Sequence, residues 1–387
     1  VGVSPTDFHG LIPKLAVKEG ETILVGDVLF FDKKKESIKF VSPVSGKVKE
    51  IVRGEKRKIM NILIEADGEQ KAKSFNVKNI NDYSAEDIKD LLLESGFWCS
   101  MKQRPLDIIA DPDNSAKGLF VSSFDSSPLA PDYEYILNDE LDALQMGFDA
   151  LSILMEGKIH LSSKPDSIFA KIKGVNHHSF DGLHPAGNIG TQIHHIDPVN
   201  KGEFVWSMNI QEVAAIGKLL KTGCFDPTKK IALTGSEVKS ASYLKVTKNS
   251  LMKSLVENSV DAENVRYISG NVLTGDKKQL NEYMGHYHDQ ITVIPEGNEY
   301  KFFLTTGWLG HGFDKFSNSR LFPTFLVPKS KKFRLDTNTN GEERAFVVSG
   351  ELERVFPFDI LPVQLTKAAI TDDICLLYTS DAADDLR

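Results

Sequence analysis

The chain has 387 residues, of which 41 % are hydrophobic and 26 % charged, and its formal net charge at pH 7 is −8. This length favours two to four globular domains, and the acidic balance disfavours nucleic acid as a partner, because phosphates attract basic proteins. No run of 18 apolar residues occurs, so no segment is predicted to span a membrane, and any membrane association would come through a partner.

The three cysteines, Cys99, Cys224 and Cys375, are odd in number and lie far apart along the chain. Their spacing disfavours both a disulfide framework and an iron–sulfur cluster held by thiolates. A reducing compartment is the simplest inference. Because the chain starts at Val1 without Met, we expect a truncated N-terminus.

Residues 1–66 alternate short apolar runs with glycine turns, which predicts a small all-β domain. The pattern V-K-x-G-x-x-x-x-x-G-D-x-L, followed by S-P-V-S-G-x-V, is similar to the biotinyl/lipoyl type of barrel-sandwich hybrid. Such domains carry a modified lysine on an exposed hairpin, and Lys33, Lys34 and Lys35 occupy about that place. Three successive lysines are also typical of a solvated turn. The intact mass of the protein separates the two interpretations, because a carrier lysine would add the mass of a lipoyl or biotinyl group.

A polar linker over residues 66–82 precedes a predicted helix. Ser84 with Asp87 at the third helical position is a variant of the capping box, and Gly96 is a typical helix end. The stretch from Phe97 to Pro105 predicts a turn with a bulky aromatic anchor.

Residues 83–226 alternate apolar runs with helical patterns, which predicts an α/β domain. The predicted strands include Leu119–Ser122, Leu151–Met155 and Ile168–Ile172, and the predicted helices include Asp132–Gly147 and Gln211–Thr222. The fingerprint G-x-G-x-x-G is missing after the first strand. Its absence counts against independent dinucleotide binding.

Three short strands and a helix within residues 227–285 predict a compact β-grasp-like domain. Its run Gly270–Lys277 imitates a phosphate-binding loop, but Asp276 precedes the lysine and no Ser or Thr follows it. We therefore predict no triphosphate site there.

The last part of the chain divides into two predicted segments. Residues 286–374 are expected to return in part to the barrel, and residues 375–387 to be a non-native tail that takes no part in the fold. An aromatic stretch favours a core or subunit interface, with a quinone ring as the alternative contact; it consists of Phe313, Phe316, Phe322 and Phe325.

Half of the ten histidines lie between residues 175 and 209. They are His177, His178, His184, His194 and His195. Glycines around His184–Pro185 let the backbone adopt unusual conformations, and the proline biases His184 towards an extended one. The pattern predicts a shaped loop that leads into strands at Thr191–Ile196 and Phe204–Met208.

Three interpretations of this histidine-rich stretch remain open. Imidazoles suit transition metals, and they also serve in acid–base chemistry or ligand contact; a structural or interface role is the third. Metal-ligand spacing such as HExxH is absent. The candidates for quinone binding or for an interface are His184, Pro185, Gly187, Gly190, His194 and His195, whereas no catalytic, cofactor-binding or metal-ligating residue is predicted.

Several stretches, in order over residues 5–374, together resemble the NqrA family of the bacterial Na⁺-translocating NADH:quinone reductase. They include Pro5 to Gly10, Leu92 to Trp98 with Arg104-Pro105, Asp125 to Pro131, His184 to Gly187 with Gly190 and His194, Val205-Trp206, and Gly235 to Lys245. The resemblance implies an α/β multidomain protein with a biotinyl/lipoyl-like barrel-sandwich hybrid, a Rossmann-like domain and a β-grasp (SLBB-like) domain.

The resemblance also implies a function. Members of this family are peripheral subunits on the cytoplasmic side of the bacterial inner membrane. They dock on membrane subunits, especially NqrB, of a six-subunit pump that passes electrons from NADH to quinone and moves Na⁺ outward. The complex uses FAD, FMN, riboflavin and iron–sulfur centres.

The same family is similar to the flavin- and NADH-binding subunit of respiratory complex I. The present sequence lacks the glycine-rich loop and the cluster cysteines of that complex I protein. We therefore expect it to bind no redox cofactor, to be non-catalytic in isolation, and to contribute to assembly and to the quinone site.

Two other functions stay open at this point. One is a role in the related electron-transport complex that serves ferredoxin and NAD, which bound flavin or iron would favour. The other is a lipoyl or biotinyl carrier domain fused to an α/β enzyme.

The family's C-terminal helical region is expected to be absent after Ile374.

Overall fold

The computed structural model describes residues 1–298, 326–328, 330–338, 345–373 and 375. The predicted aromatic stretch and the tail beyond residue 375 lie outside these residues. The chain divides into two compact units. The first comprises residues 1–296 with 334–336, and the second comprises residues 297–333 with 337–387.

The first domain is a barrel-sandwich of two antiparallel sheets, with strand orders β1-β7-β6-β3 and β2-β4-β5. The strands are β1 (Gly2–Val3), β2 (Pro13–Leu15), β3 (Thr22–Ile23), β4 (Val28–Asp32), β5 (Lys39–Val41), β6 (Gly46–Arg53) and β7 (Ile59–Ala66). Phe30 and Phe40, from neighbouring strands, stack in the core with ring centroids 4.5 Å apart. The hydrophobic alternation of the sequence thus produces the expected small β domain.

The β4–β5 hairpin carries the three successive lysines, as expected. Its Lys35 ammonium lies 3.0 Å from Asp111 Oδ1 and also pairs with Asp113, both in the next domain. Lys35 is therefore held against its neighbour rather than extended as a swinging arm.

The second domain is an α/β domain built on a six-stranded sheet with the order β12-β11-β10-β13-β8-β9. Its elements are α1 (Ala85–Glu94), β8 (Lys102–Arg104), β9 (Ile108–Ile109), β10 (Leu119–Ser122), α2 (Tyr133–Leu137), α3 (Leu141–Leu154), β11 (Ile159–Ser163), β12 (Asn176–Ser179), α4 (Ile189–Ile196), β13 (Val205–Asn209) and α5 (Ile210–Thr222). Strands β10 to β13 are parallel to one another, whereas β8 is antiparallel to β13 and β9 is antiparallel to β8. Along the chain, β10, β11 and β12 follow one another towards one edge of the sheet. Strand β13 then pairs with β10 on its opposite side. This is the strand order of a Rossmann-type half, and its switch point falls between β10 and β13.

Helix α1 begins at the predicted capping box. The Ser84 hydroxyl accepts a hydrogen bond from the backbone N–H of Asp87, and the Asp87 carboxylate accepts one from the backbone N–H of Ser84. Gly96 follows the helix in a left-handed conformation, with φ of 78°. The local signals for this helix are therefore confirmed.

We expect Ser84→Ala to lower the free energy of unfolding by about 1 kcal/mol, since it leaves an N-terminal N–H of α1 without its partner. Urea unfolding of the full chain measures the change. Ser84→Asp retains an acceptor and should lose less, so equal losses in both variants would argue against a capping role.

Four secondary-structure predictions for this domain are wrong. The predicted helix Asp132–Gly147 is broken into α2 and α3, with Asn138 as C-cap of the first and Glu140 as N-cap of the second. The predicted strand Leu151–Met155 is the end of α3, whose Ala150 and Leu151 are both fully buried. A helix buried on several sides gives a continuous apolar run that resembles a strand.

The other two errors concern short segments. Residues Ile168–Lys171 form a 3₁₀ turn capped by Ser167 instead of a strand. The predicted strand Thr191–Ile196 lies within helix α4, where Ile189, Ile193 and Ile196 recur at helical spacing and pack on the sheet. The predicted turn before Pro105 also contains a short strand, β8.

The third domain has a five-stranded sheet with the order β15-β14-β18-β16-β17 and one short helix. Its elements are β14 (Thr228–Thr234), β15 (Ser242–Thr247), α6 (Met252–Val256), β16 (Val265–Ser269), β17 (Asp276–Lys278) and β18 (Gln290–Pro295). Strand β18 lies between β14 and β16. The sheet therefore continues to Pro295, beyond the predicted boundary at residue 285.

The second unit contains helix α7 (Pro362–Thr371) among its described residues. Val363 and Ala368 of this helix are buried. Among the helices that the structure describes, none is long and apolar enough to cross a membrane.

Candidate functional site

The parallel strands leave a crevice at the switch point, where the carboxyl ends of β10 and β13 diverge. In open α/β sheets this is the usual place for a ligand. The cavity has a volume of about 220 Å³. Its lining includes Ser122, Phe124 and Asp125 after β10, Ser207, Met208 and Asn209 from β13, Gly187 and Ile189 before and in α4, and Lys102, Arg104, Tyr133, Glu212, Lys229 and Tyr287.

One wall of the crevice is cationic. Lys102 and Arg104 are two residues apart in β8, so both side chains lie on the same face of the sheet. Asp107 holds them together, at 3.1 Å from the Lys102 ammonium and 3.1 Å from the Arg104 guanidinium. The Lys102 ammonium also lies 3.9 Å from the centre of the Tyr287 ring, so a cation, a guanidinium fork and an aromatic face meet at one wall.

Two buried ion pairs form the floor, and the first of them joins the α/β domain to the β-grasp domain. The Lys248 ammonium lies 2.6 Å from Glu212 Oε2, and Ser100 donates a 3.0 Å hydrogen bond to the same oxygen. Burial alone raises the pKa of Glu212, but the Lys248 and Lys229 ammonium groups outweigh burial and bring this pKa down to about 2. Glu212 is therefore ionised at neutral pH.

The second pair joins Lys229 to Asp289. Asp289 Oδ2 accepts hydrogen bonds from the Tyr133 hydroxyl at 2.7 Å and from the Asn209 amide at 2.6 Å. Burial, together with the Asp289 charge, raises the pKa of Tyr133 well above its ordinary value. The Tyr133 hydroxyl thus stays protonated and acts as a fixed donor.

The structure separates the six predicted site residues. Gly187 lines the crevice, and its N–H donates to Ser126 Oγ at 2.8 Å. His184 Nδ1 lies 3.1 Å from the same hydroxyl, and a cis peptide bond joins His184 to Pro185. The loop therefore shapes the rim of the crevice. Of the six predicted residues, Gly187 is the one that lines the crevice.

The remaining predicted residues belong to helix α4. Gly190 lies in its first turn and His194 and His195 in its last. The two imidazoles approach each other edge-on, with ring centroids 5.4 Å apart. Of the other histidines, His160 and His178 are hydrogen-bonded at 2.9 Å on neighbouring strands. Within the described part of the chain, no group of three or more His, Cys, Asp or Glu is arranged to hold a metal ion.

Sequence reasoning missed the cationic wall. Lys102 and Arg104 come from one stretch and Tyr287 from another, neither with a recognisable motif, and only the sheet order brings them to the crevice. An alternating Lys-x-Arg pair in a short strand was the available signal.

We expect Gly187→Ala to displace the rim loop. A Cβ at this position would lie 2.2 Å from the backbone nitrogen of Ser126, so the two backbone segments must separate. The amide proton of Gly187 should then exchange faster with solvent, because its bond to Ser126 weakens. Hydrogen-exchange mass spectrometry over residues 180–190 measures this change. Exchange as slow as in the parent chain would contradict the close packing.

A second, more open groove of about 560 Å³ lies between α2 and the edge strand β15. Tyr135 and Tyr243 stack in it with centroids 4.9 Å apart, and Lys230 lies on its border. We favour the crevice as the ligand site because it lies at the carboxyl ends of the parallel strands.

The fold and the crevice define a multidomain protein in which a Rossmann-like α/β domain is combined with a barrel-sandwich hybrid and a β-grasp domain. Residues 1–67 match the NqrA N-terminal barrel-sandwich hybrid domain, residues 83–225 the NqrA second alpha/beta domain, and residues 230–279 the NQRA C-terminal domain. The chain belongs to the NqrA family, whose curated members are named as the NqrA component of Na(+)-translocating NADH-quinone reductase.

Three such relatives show the extent of the similarity. The Haemophilus influenzae protein is 37 % identical over 380 residues, which are 96 % of this chain and 84 % of the relative. The Marinomonas protein is 35 % identical over 376 residues, with the same coverage, and the Vibrio alginolyticus protein is 35 % identical over 97 % of this chain and 83 % of its own length. A crystal structure of an NAD⁺-reducing NiFe-hydrogenase aligns with a TM-score of 0.36 and 11 % identity, over 47 % of this chain and 41 % of that one, which is too weak to support an argument.

Proposed function

We propose that this chain is a peripheral, cytoplasmic-side component of a redox-driven sodium pump that passes electrons from NADH to quinone. In this proposal it docks on the membrane subunits, NqrB above all, and contributes to the quinone site without a redox cofactor of its own. The names of the relatives support the complex. The observation that carries the quinone contact is the cationic, aromatic-walled crevice at the switch point.

The chemistry of the crevice suits a quinone ring. A quinone is flat and apolar, with two carbonyl oxygens that accept hydrogen bonds, and such a ligand needs apolar walls with a few well-placed donors. Phe124, Ile189 and Met208 supply apolar surface, and Lys102 and Arg104 supply charged donors. Charged donors also stabilise the negative charge that develops on a quinone oxygen during reduction.

The volume of the crevice limits how much of the quinone enters. At about 220 Å³, it is smaller than the roughly 300–1,000 Å³ typical of drug-sized ligands. It therefore suits a single ring with the polyprenyl tail outside. The electrons come from the flavin and iron–sulfur centres of the partner subunits, and this chain supplies orientation and charge.

The test is Arg104→Gln in the assembled complex, with quinone reduction measured at varied quinone and at varied NADH. Losing a charged donor should raise the KM for quinone about tenfold or more, since such a hydrogen bond contributes about 1.5–3 kcal/mol. The KM for NADH should stay constant.

Lys117→Gln is the matched control. It also removes one positive charge from the α/β domain, but Lys117 pairs with Asp197 and Glu203 away from the crevice. We expect little change in this control. An unchanged KM in Arg104→Gln, in a complex that assembles normally, would count against the proposal.

A further inference from the structure

A small cavity lies where the three domains of the first unit meet. Its volume is about 20 Å³, and one water needs at least about 10–15 Å³ by the same measure. Phe8 and Phe40 line it from the barrel, Cys99 and Ser100 from the α/β domain, and Asn249 and His286 from the β-grasp domain.

Two residues that line this cavity each carry a buried polar atom without a hydrogen-bond partner. The atoms are Asn249 Nδ2 and His286 Nδ1. The Asn249 side chain belongs to a residue that is only 4 % exposed. Because buried polar groups in native proteins nearly always have a partner, these two atoms indicate a missing one.

The contacts of Cys99 favour a proton on one particular ring nitrogen of His286. The Cys99 thiol donates its hydrogen to Gly96 O at 3.0 Å, so its sulfur can only accept from a further partner. His286 Nε2 lies 3.8 Å from this sulfur, and we assign it as the N–H donor on that basis. Nδ1 is then an unprotonated acceptor, whereas Asn249 Nδ2 is a donor.

We propose that one ordered water occupies this cavity, accepts a hydrogen bond from Asn249 Nδ2 and donates one to His286 Nδ1. The polarities of the two orphaned atoms are opposite, which is the arrangement that a bridging water satisfies. The water links two parts of the β-grasp domain at the point where the other domains contact them.

This water has a consequence for the crevice, although the proposal does not depend on the quinone. The backbone N–H of His286 donates to Asp7 of the barrel at 2.9 Å, and the Tyr287 hydroxyl donates to the Cys99 carbonyl at 2.6 Å. Holding His286 in one orientation also holds the segment that carries Tyr287 into the crevice wall.

The test is a crystal structure of the full chain at a resolution that shows waters, together with long-range ¹H–¹⁵N spectra of the imidazoles at pH 7. We expect one water peak within hydrogen-bond distance of both atoms, and a neutral His286 with its proton on Nε2. An empty cavity, or a proton on Nδ1, would overturn the proposal.

The variant His286→Phe keeps a ring against Phe8, whose centroid lies 4.9 Å from that of His286, but removes the acceptor. We expect the water peak to disappear from its structure. Asn249→Gly removes the donor and suits the positive φ of 58° at this position, so the peak should also weaken there. A peak of full occupancy in both variants would show that the water is held by other groups. The parent crystal structure and spectra decide the question even if a variant does not fold.

Discussion

Glu212→Gln should lower the free energy of unfolding by about 3–5 kcal/mol, since it leaves the Lys248 ammonium buried without its counter-charge. The two side chains are only 5 % and 4 % exposed. Desolvation of the lysine is therefore no longer balanced by a nearby anion. Urea unfolding of the full chain measures the loss.

The double variant Glu212→Gln with Lys248→Met provides the control. It removes both charges, and replacing a buried pair by uncharged groups is often nearly neutral. We expect the double variant to recover most of the stability that the single variant loses. If it were as unstable as the single variant, packing rather than charge would explain the loss.

The pH dependence of the same pair has a definite sign. Because the pKa of Glu212 is about 2 in the folded chain and ordinarily 4.5, the pairing contributes its full stability above pH 4.5. This contribution falls as the pH decreases towards 2, because the unfolded chain then binds the extra proton. The stability difference between the parent chain and Glu212→Gln should therefore shrink below about pH 4, as measured by urea titrations at several pH values.

Gly217→Ala should also be strongly destabilising, because α3 and α5 cross with their backbones in contact. A Cβ at Gly217 would lie 1.8 Å from the carbonyl oxygen of Ala143, and one at Gly147 would lie 2.0 Å from that of Val213. Overpacking typically costs about 1–3 kcal/mol, and a clash with backbone should reach the upper end of this range.

Gly190→Ala is the matched control in the same domain. Nothing lies within 4 Å of a Cβ at this position, which is also in a helix, so alanine should be neutral or stabilise the chain by up to about 1 kcal/mol. Urea unfolding compares the two variants. Equal destabilisation would contradict the close crossing of α3 and α5.

Local signals were sufficient for much of the fold. The capping box at Ser84 and the left-handed Gly223 after α5 fix their helix ends with short-range chemistry, and alternation with glycine turns predicts the barrel-sandwich. The wrong secondary-structure predictions occur where burial on several sides hides the hydrophobic period of the segment. Helix α4 has only eight residues, so its three isoleucines are too few to distinguish a helical spacing from a chance distribution of apolar residues.

The crevice could not be predicted because it depends on strand order. Lys102 and Tyr287 are far apart in sequence and meet only because β8 pairs with β13 and the β-grasp domain packs against the same edge. The histidine-rich stretch attracted attention through composition, yet it supplies mainly the rim through Gly187. Long-range pairing is set by the whole sheet, and no single stretch of sequence specifies it.

The most direct test of the quinone site is photoaffinity labelling of the assembled complex with a quinone that carries a photoreactive group on its ring, followed by peptide mapping of this chain. We expect labelling in the peptides that contain Lys102 to Arg104, Phe124 and Tyr287, and competition by unlabelled quinone. Labelling confined to other proteins of the complex, or to peptides of this chain remote from the crevice, would contradict the proposed quinone site.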